Sequence, residues 1–276
     1  MPDIYTKVTE AAPNVLGSLM TALELRAADP QQRPMLTTYL ADAARPPRAR
    51  VLEVGCGTGA VTRTLAGWPG VGEVIGIDPS PLFVARAREL AEGLAIAFEE
   101  ADGRSLPFAA ETFDAVVFHT TLCHVPEPDV MLREAVRVLR PAGCLAVFEG
   151  DYVTGTLATR AGDPLDACAD GFREHFIHDP WLARRLPTLV RGAGVEIQRV
   201  RSHAYAEVSK PGFMLASWVD LSADALVAAG RIGAGEAAAL KAEARRRVAS
   251  GEYFGHIAYM SIVARKPARK PARKPG

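Results

Sequence analysis

Three glycines at alternate positions, Gly55, Gly57 and Gly59, follow the apolar run "RVLEV" and lead straight into "AVTRTLAGW". A strand that turns through glycines into a helix offers bare backbone to a ligand at the edge of a parallel sheet, with no Cβ in the way. No lysine follows the loop, so the phosphate-cradling pattern G-x-x-x-x-G-K-S/T is absent. "GCGTGA" does satisfy the dinucleotide pattern G-x-G-x-x-A. The glycines alone therefore leave a dinucleotide and a ligand without phosphates both open. Carboxylates stand near them. Glu53 ends an otherwise apolar strand, Asp78 lies at the tip of the next, and Asp102 with Gly103 follows the third in "EADGRSLPF". An acid at a strand tip can accept hydrogen bonds from both ribose hydroxyls, and either ligand class would use it. Charge at the end of "RVLEV" is hard to explain as packing.

The elements that must position these groups are legible from periodicity. "RVLEV", "EVIGID", "LAIAFEEAD", "FDAVVFH" and "GCLAVFEGDY" read as strands. Between them "AVTRTLAGW", "PSPLFVARARELAEG" and "EPDVMLREAVRVLR" read as helices, the last stopped by Pro141. Strands alternating with helices indicate βαβ units and a parallel sheet covered on both faces. "DPWLARRLPTLVRGAG" reads as a further helix with Asp179 as N-cap and Pro180 in its first turn. "VEIQRVRSHAYAE" and "FGHIAYMSIVARK" alternate and complete the strands. An irregular insertion is expected from Val153 to His178, and a helical one from about Lys210 to Ser250.

Before the first strand, Val15, Leu16, Leu19, Met20 and Leu23 share a helical face, and Asp29 should cap a second helix beginning at Pro30. Two such helices cannot bury themselves alone. They should pack on the rim of the sheet, as plain support or as a lid over the site.

Taken together, "VLEVGCGTG", "IGIDPS", "ADGRSLPF", "FDAVVFHTTLCHV" and "LREAVRVLRPAGCLAV" resemble the class I S-adenosylmethionine (SAM) dependent methyltransferases. The likeness is greatest to the branch of ubiquinone and menaquinone C-methyltransferases and natural-product (secondary-metabolism) methyltransferases. It runs in register over about residues 48–150, and the closing "FGHIAYMSIVARKP" is similar to the family's last strand. The resemblance implies an α/β, Rossmann-like, doubly wound seven-stranded sheet with its last strand antiparallel. The organisation expected is an N-terminal helical lid (1–45), a SAM-binding domain (46–264, with insertions near 152–179 and 207–251) and a disordered basic tail (265–276). Glu53, Gly55, Cys56, Gly57, Thr58 and Gly59 would surround the methionine moiety, with Cys56 acting through its backbone. Asp78 would hold the ribose with Pro79 beside the adenine, and Asp102 and Gly103 would meet the adenine ring. His119 and Thr120 would line the sulfonium end, and His124 falls near cofactor or acceptor. The product would be S-adenosylhomocysteine.

Methyl transfer from a sulfonium is an in-line displacement that needs alignment, exclusion of water and, for some acceptors, a base. Candidate bases are His119, His124 and Tyr5, with Glu149, Asp151, Tyr152, His175 and His178 behind them. In "FEGDY" Glu149 and Asp151 are read as neighbours on a strand that face opposite sides, so only one of the two is expected to point into the cleft. His175 and His178 share a face if "FREHFIHD" is helical.

The totals exclude several classes. The 276 residues, 49% apolar and 23% charged, fit a soluble globular chain. No run approaches a membrane helix and no secretory signal opens the chain, so a cytoplasmic protein is expected. Cys56, Cys123, Cys144 and Cys168 are scattered, with no zinc or disulfide spacing, and no metal is expected. The net charge of zero hides the basic tail "RKPARKPARKPG"; without its six cations, 26 basic face 32 acidic residues. An acidic body with a short basic tail is weak evidence for nucleic-acid binding, whereas two N-terminal helices and two insertions would enclose a pocket, which favours a small-molecule acceptor. Helical insertions of this kind could also serve a homodimer. The rival readings are a nicotinamide oxidoreductase, a nucleic-acid methyltransferase, and a SAM-fold protein that binds without transferring methyl, as a cyclase or regulatory module.

Overall fold

In the computed structural model, described for residues 3–11, 13–43, 45–208 and 214–268, the described strands form one seven-stranded sheet of order β3-β2-β1-β4-β5-β7-β6. The strands are β1 Ala49–Val54, β2 Val71–Asp78, β3 Ile96–Glu100, β4 Phe113–His119, β5 Leu139–Thr156, β6 Glu196–Val208 and β7 Phe254–Arg265. β1 to β5 pair in parallel, and β7 inserts antiparallel between β5 and β6. The expected seven strands with an antiparallel last one are what the chain forms. β1 and β4 are buried almost throughout, as their largely apolar sequences require of strands covered on both faces.

The helices are α1 Pro13–Ala28, α2 Gln32–Asp42, α3 Ala60–Ala66, α4 Pro81–Leu90, α5 Pro128–Val138, α6 Asp166–Phe176, α7 Leu182–Gly192, α8 Met214–Ala228 and α9 Ala234–Ser250, with a 3-10 segment at Ile4–Glu10. α3 packs on β1 to β3 and α4 on β2 and β3, while α5 and α7 contact each other and β5. α2 lies on β5, β6 and β7. α1 reaches α3, α4 and α8, so the N-terminal layer bridges the glycine loop and the 214–250 helices.

Local chemistry sets the boundaries. Asp29 accepts N–H bonds from Gln31 and Gln32, so it does cap, but the helix starts at Gln32 and Pro30 sits in the turn before it. Asp179 accepts the N–H of Trp181, and α7 begins at Leu182. β5 runs on to Thr156, and the stretch expected to be irregular contains α6. That helix ends at Phe176, so His178 lies outside it and does not share a helical face with the buried His175. Two residues of the expected basic tail belong to the fold. Arg265 closes β7, and Lys266 Nζ donates to the carbonyls of Val136 and Leu139 at the end of α5. Residues 269–276 of that tail lie outside the described residues.

Candidate active site

β1 lies between β2 and β4, the point where the strand order reverses, and ligands of open α/β sheets bind at the carboxyl ends there. A cavity of about 1000 Å³ opens at this place. Its floor is the glycine loop and the tips of β1 to β4, and its roof comes from the 3-10 segment, α1, α6 and α8.

Of the residues singled out in the sequence, Tyr5, Glu53, Gly55, Cys56, Gly57, Thr58, Asp78, Pro79, Asp102, Gly103, His119, Thr120 and His124 all line it. Gly59 does not. It opens α3 with φ of +76°, and a Cβ there would stand 2.7 Å from the Phe98 ring, so packing and turn geometry explain it without a ligand. Gly103 lines the cavity, yet a Cβ there would come within 2.3 Å of Met131 and 2.6 Å of Val54. Gly55 has φ of +73°, and a Cβ would lie 2.2 Å from Thr121 Cγ2. Gly55→Ala is accordingly expected to cost about 1–3 kcal/mol in thermal or urea unfolding, whereas Gly17→Ala, with nothing within 4 Å, should be neutral or stabilising.

Around the loop the charge is unusual. Glu53 is buried and takes the Thr62 hydroxyl on Oε2. Burial first, then the nearby Asp78, pushes its carboxyl up to about 8. Asp78 is buried too and accepts the N–H groups of Gly57 and Ser80, both at 2.9 Å. Burial pushes it up to about 6 despite these donors. Neither carboxylate has an ion-pair partner among the described residues. The Cys56 thiol is raised well above its ordinary value, chiefly by burial, so its contribution is the backbone: its N–H and that of Gly55 both donate to Ile77 O.

α1 is tied to the same loop. Glu24 accepts the Thr58 hydroxyl at 2.5 Å and pairs with Arg63, which also donates to Thr58 O. Two residues later Arg26 enters the cavity. Its Nη1 donates to Thr120 Oγ1 at 2.7 Å, Nη2 meets His119 Nε2 at 3.4 Å, and the guanidinium lies 5.7 Å from the Tyr259 ring centroid. No carboxylate is within ion-pair distance of it among the described residues. Thr120 itself is held at φ of +53°, an uncommon conformation for threonine, by its N–H bond to Phe148 O.

The candidate bases separate cleanly. His119 has both ring nitrogens engaged. A guanidinium can only donate, so Nε2 accepts from Arg26 and Nδ1 carries the proton toward Tyr39 Oη at 3.0 Å. Burial, then Arg26, drives its pKa well below the ordinary histidine value, and the ring stacks on Phe148 at 4.7 Å. The geometry speaks against His119 as a base. Burial also raises the Tyr5 phenol far above its ordinary value, and its ring packs on His124 and Phe83. Tyr5 is therefore a wall and not a proton acceptor. Neither Glu149 nor Asp151 lines the cavity. Glu149 is buried and accepts the N–H groups of Thr121 and Leu122, holding the loop after β4, while Asp151 pairs with Arg184. The expectation that one of them enters the cleft is corrected: α7 captures one and the loop captures the other. His175 and His178 are not in the lining either. Asp102 is half exposed, and Arg104 holds its carboxyl below the ordinary range.

Among the described residues, His124 keeps one ring nitrogen without a hydrogen-bond partner. Nδ1 is 2.6 Å from Oδ2 of Asp3, which is buried and also accepts the N–H groups of Tyr5 and His178. Asp3, Glu24, Arg26 and Tyr39 carried no signal in the sequence, because they belong to the segment without a motif. Opposite the loop, Tyr152, Phe172, Phe176, Ile177, Trp218 and Leu221 form an apolar wall, with Phe172 and Trp218 stacked at 4.2 Å and 10°.

Residues 52–147 match the family described as a methyltransferase domain. Over 126 residues the chain is 37% identical to methyltransferase GfsG of Streptomyces halstedii, covering 45% of this chain and 44% of that protein. Over 119 residues it is 36% identical to the ubiquinone/menaquinone biosynthesis C-methyltransferase UbiE of Pseudomonas aeruginosa, covering 41% of this chain and 46% of that one. The matched parts thus span less than half the length of these curated relatives. Among solved structures the cyclase SpnF superposes with a TM-score of 0.54 at 26% identity, over 86% of this chain and 81% of that chain.

Proposed function

We propose that this chain, whose residues 52–147 match a methyltransferase domain, is a class I SAM-dependent methyltransferase that transfers the SAM methyl group to a small, largely apolar metabolite inside the cavity. The observation that carries the reading is the charge pattern at the strand tips. Among the described residues, two buried carboxyl groups, Glu53 and Asp78, flank the glycine loop with no ion-pair partner, and the Arg26 guanidinium stands nearby with none either. A pyrophosphate would be repelled by Asp78, which at about 6 is ionised at neutral pH, and would gain nothing from Glu53. A ligand with a sulfonium, an ammonium and a carboxylate complements both the carboxyl pair and Arg26.

When bound, SAM supplies a methyl group already activated by its sulfonium. The chain's work is to hold and to exclude. Arg26 binds the ligand carboxylate, Asp78 accepts from the ribose hydroxyls with oxygens kept in place by Gly57 and Ser80, and Pro79, Asp102 and Gly103 border the adenine. Glu53 faces the methionine end. The roof over the acceptor keeps water from the reacting centre, and alignment then supplies a large part of the acceleration. Among the described residues no helix is long and apolar enough to cross a membrane, and no metal-ligating cluster of His, Cys, Asp and Glu is found.

The charge pattern gives a test by linkage. In the free protein Glu53, at about 8, holds a proton at neutral pH. A cation bound beside it favours the carboxylate, so binding should expel that proton. Titration calorimetry of SAM at pH 7 in buffers of different ionisation enthalpy is expected to show a substantial fraction of a proton released, falling away above pH 8 and lost in Glu53→Gln. Proton-neutral binding at pH 7, or no binding of SAM, would contradict the reading. Without ligand the sign reverses in stability: the folded state keeps a proton that the unfolded chain has lost, so this group's contribution declines as pH rises from 4.5 toward 8.

The likeness to SpnF supports a second reading, a SAM-fold protein that binds the cofactor without transferring methyl. Formation of S-adenosylhomocysteine in the presence of acceptor separates the two.

A further inference from the structure

We infer that Asp3 and His124 form a dyad in which Asp3 orients His124 as the general base, and that the acceptor is therefore a molecule with an acidic O–H, a phenol or an enol, seated on the Phe172–Trp218 wall. The inference rests on the methyl-transfer reading.

Asp3 already accepts the backbone N–H groups of Tyr5 and His178, and as the acceptor of the 2.6 Å contact too it places the shared proton on Nδ1 of His124. That fixes the tautomer and leaves Nε2 as the acceptor nitrogen. His124 lines the cavity, and Nε2 has no protein partner among the described residues. Position is held on every side. The Thr6 hydroxyl donates to His124 O, the Tyr5 ring packs against the imidazole at 4.5 Å, and Glu149 fixes the preceding backbone through Thr121 and Leu122. Asp3 in turn is anchored by the N–H groups of Tyr5 and His178. The charged and titratable groups facing the ring are Asp3, Glu149 and Tyr5, with the Cys123 thiol adjacent in the chain. The cation that forms on His124 during reaction has Asp3 in contact and Glu149 within electrostatic reach. His119, by contrast, has no nitrogen to offer and Arg26 opposing its charge.

In the step this dyad supports, the acceptor O–H proton passes to Nε2 and an oxygen electron pair forms the bond to the methyl carbon. The carbon–sulfur pair stays on sulfur. The products are a methyl ether, neutral S-adenosylhomocysteine and an imidazolium paired with Asp3. A neutral amine attacks with its own lone pair and needs no such base, so the dyad points to a hydroxyl. The stacked Phe172 and Trp218, with Tyr152 at 6.2 Å from Trp218, offer a flat apolar surface for the remainder.

Two readouts test it on the full chain. Long-range proton–nitrogen correlation of the 15N-labelled protein reads the His124 tautomer directly; Nδ1–H is expected, and it should give way to a mixture in Asp3→Ala. Deuterated-methyl transfer from labelled SAM into an extract of the source cells reads the chemistry. His124→Gln and Asp3→Ala are expected to lower transfer on the order of 10²- to 10⁴-fold, with SAM affinity by calorimetry unchanged and the label in an O-methyl group. An Nε2–H tautomer in the unaltered protein overturns the dyad whatever the transfer assay gives. Label on nitrogen or carbon, or undiminished transfer by His124→Gln, overturns the base and the acceptor class. Bound SAM with no transfer by the unaltered chain overturns the methyl-transfer reading and the proposal with it, while the tautomer is still read independently.

Discussion

Asp163→Ala is expected to lower the free energy of unfolding by about 3–5 kcal/mol, the usual result of stripping one partner from a buried ion pair. Asp163 sits ahead of α6 and binds Arg247 of α9 through both oxygens, at 2.7 and 2.9 Å. The two side chains are 0% and 7% exposed. Asp163 also accepts the N–H groups of Thr159 and Leu165 and the Thr159 hydroxyl. Without the carboxylate, a nearly buried guanidinium keeps only Glu243. Burial alone would raise the Asp163 carboxyl, but Arg247 and these donors outweigh it and hold the group below its ordinary value of 3.8. Its contribution is therefore fully present above that value and is lost as pH falls below it. Urea unfolding at pH 7 and at pH 3 checks both the size and the sign. The double change Asp163→Ala with Arg247→Met should lose less than the single one, because it leaves no orphaned charge. A loss below about 1 kcal/mol at pH 7 would place the pair among solvated bridges. The pair matters for the site because α9 packs on α8, and α8 carries Trp218 of the acceptor wall.

Arg26→Ala should weaken SAM binding by about 1.5–3 kcal/mol, roughly 10- to 150-fold in Kd, the range of a hydrogen bond to a charged group. Arg26→Lys should recover part of it, since the charge returns without the fork that spans Thr120 and His119. Calorimetry with SAM and with S-adenosylhomocysteine should show similar losses, because both carry the carboxylate. Unchanged affinity would remove Arg26 from the ligand and leave its buried charge unexplained.

The sheet was legible because each strand announces itself through an unbroken or alternating apolar run, and the strand tips with their acids follow from the register. "RVLEV" places Glu53 and the loop, and "EVIGID" places Asp78. What could not be read is what arrives from elsewhere in the chain. Asp3 meets His124 across 121 residues and Arg26 meets Thr120 across 94, by packing of helices whose own patterns report only an apolar face. The expectation that Glu149 and Asp151 face opposite sides of β5 is unsound, because residues two apart on a strand share a face. What keeps both out of the cavity is a loop that captures one and α7 that captures the other. Gly59 belongs to the same lesson. The pattern groups it with Gly55 and Gly57, while the structure turns it toward Phe98.

The most direct measurement follows a deuterated methyl group from labelled SAM, with the purified chain added to an extract of its own source cells and mass spectrometry on metabolites, RNA and protein. The account predicts the label in one small, largely apolar metabolite, in step with S-adenosylhomocysteine formation. Label in RNA or protein, or SAM bound with no label moved, would contradict it.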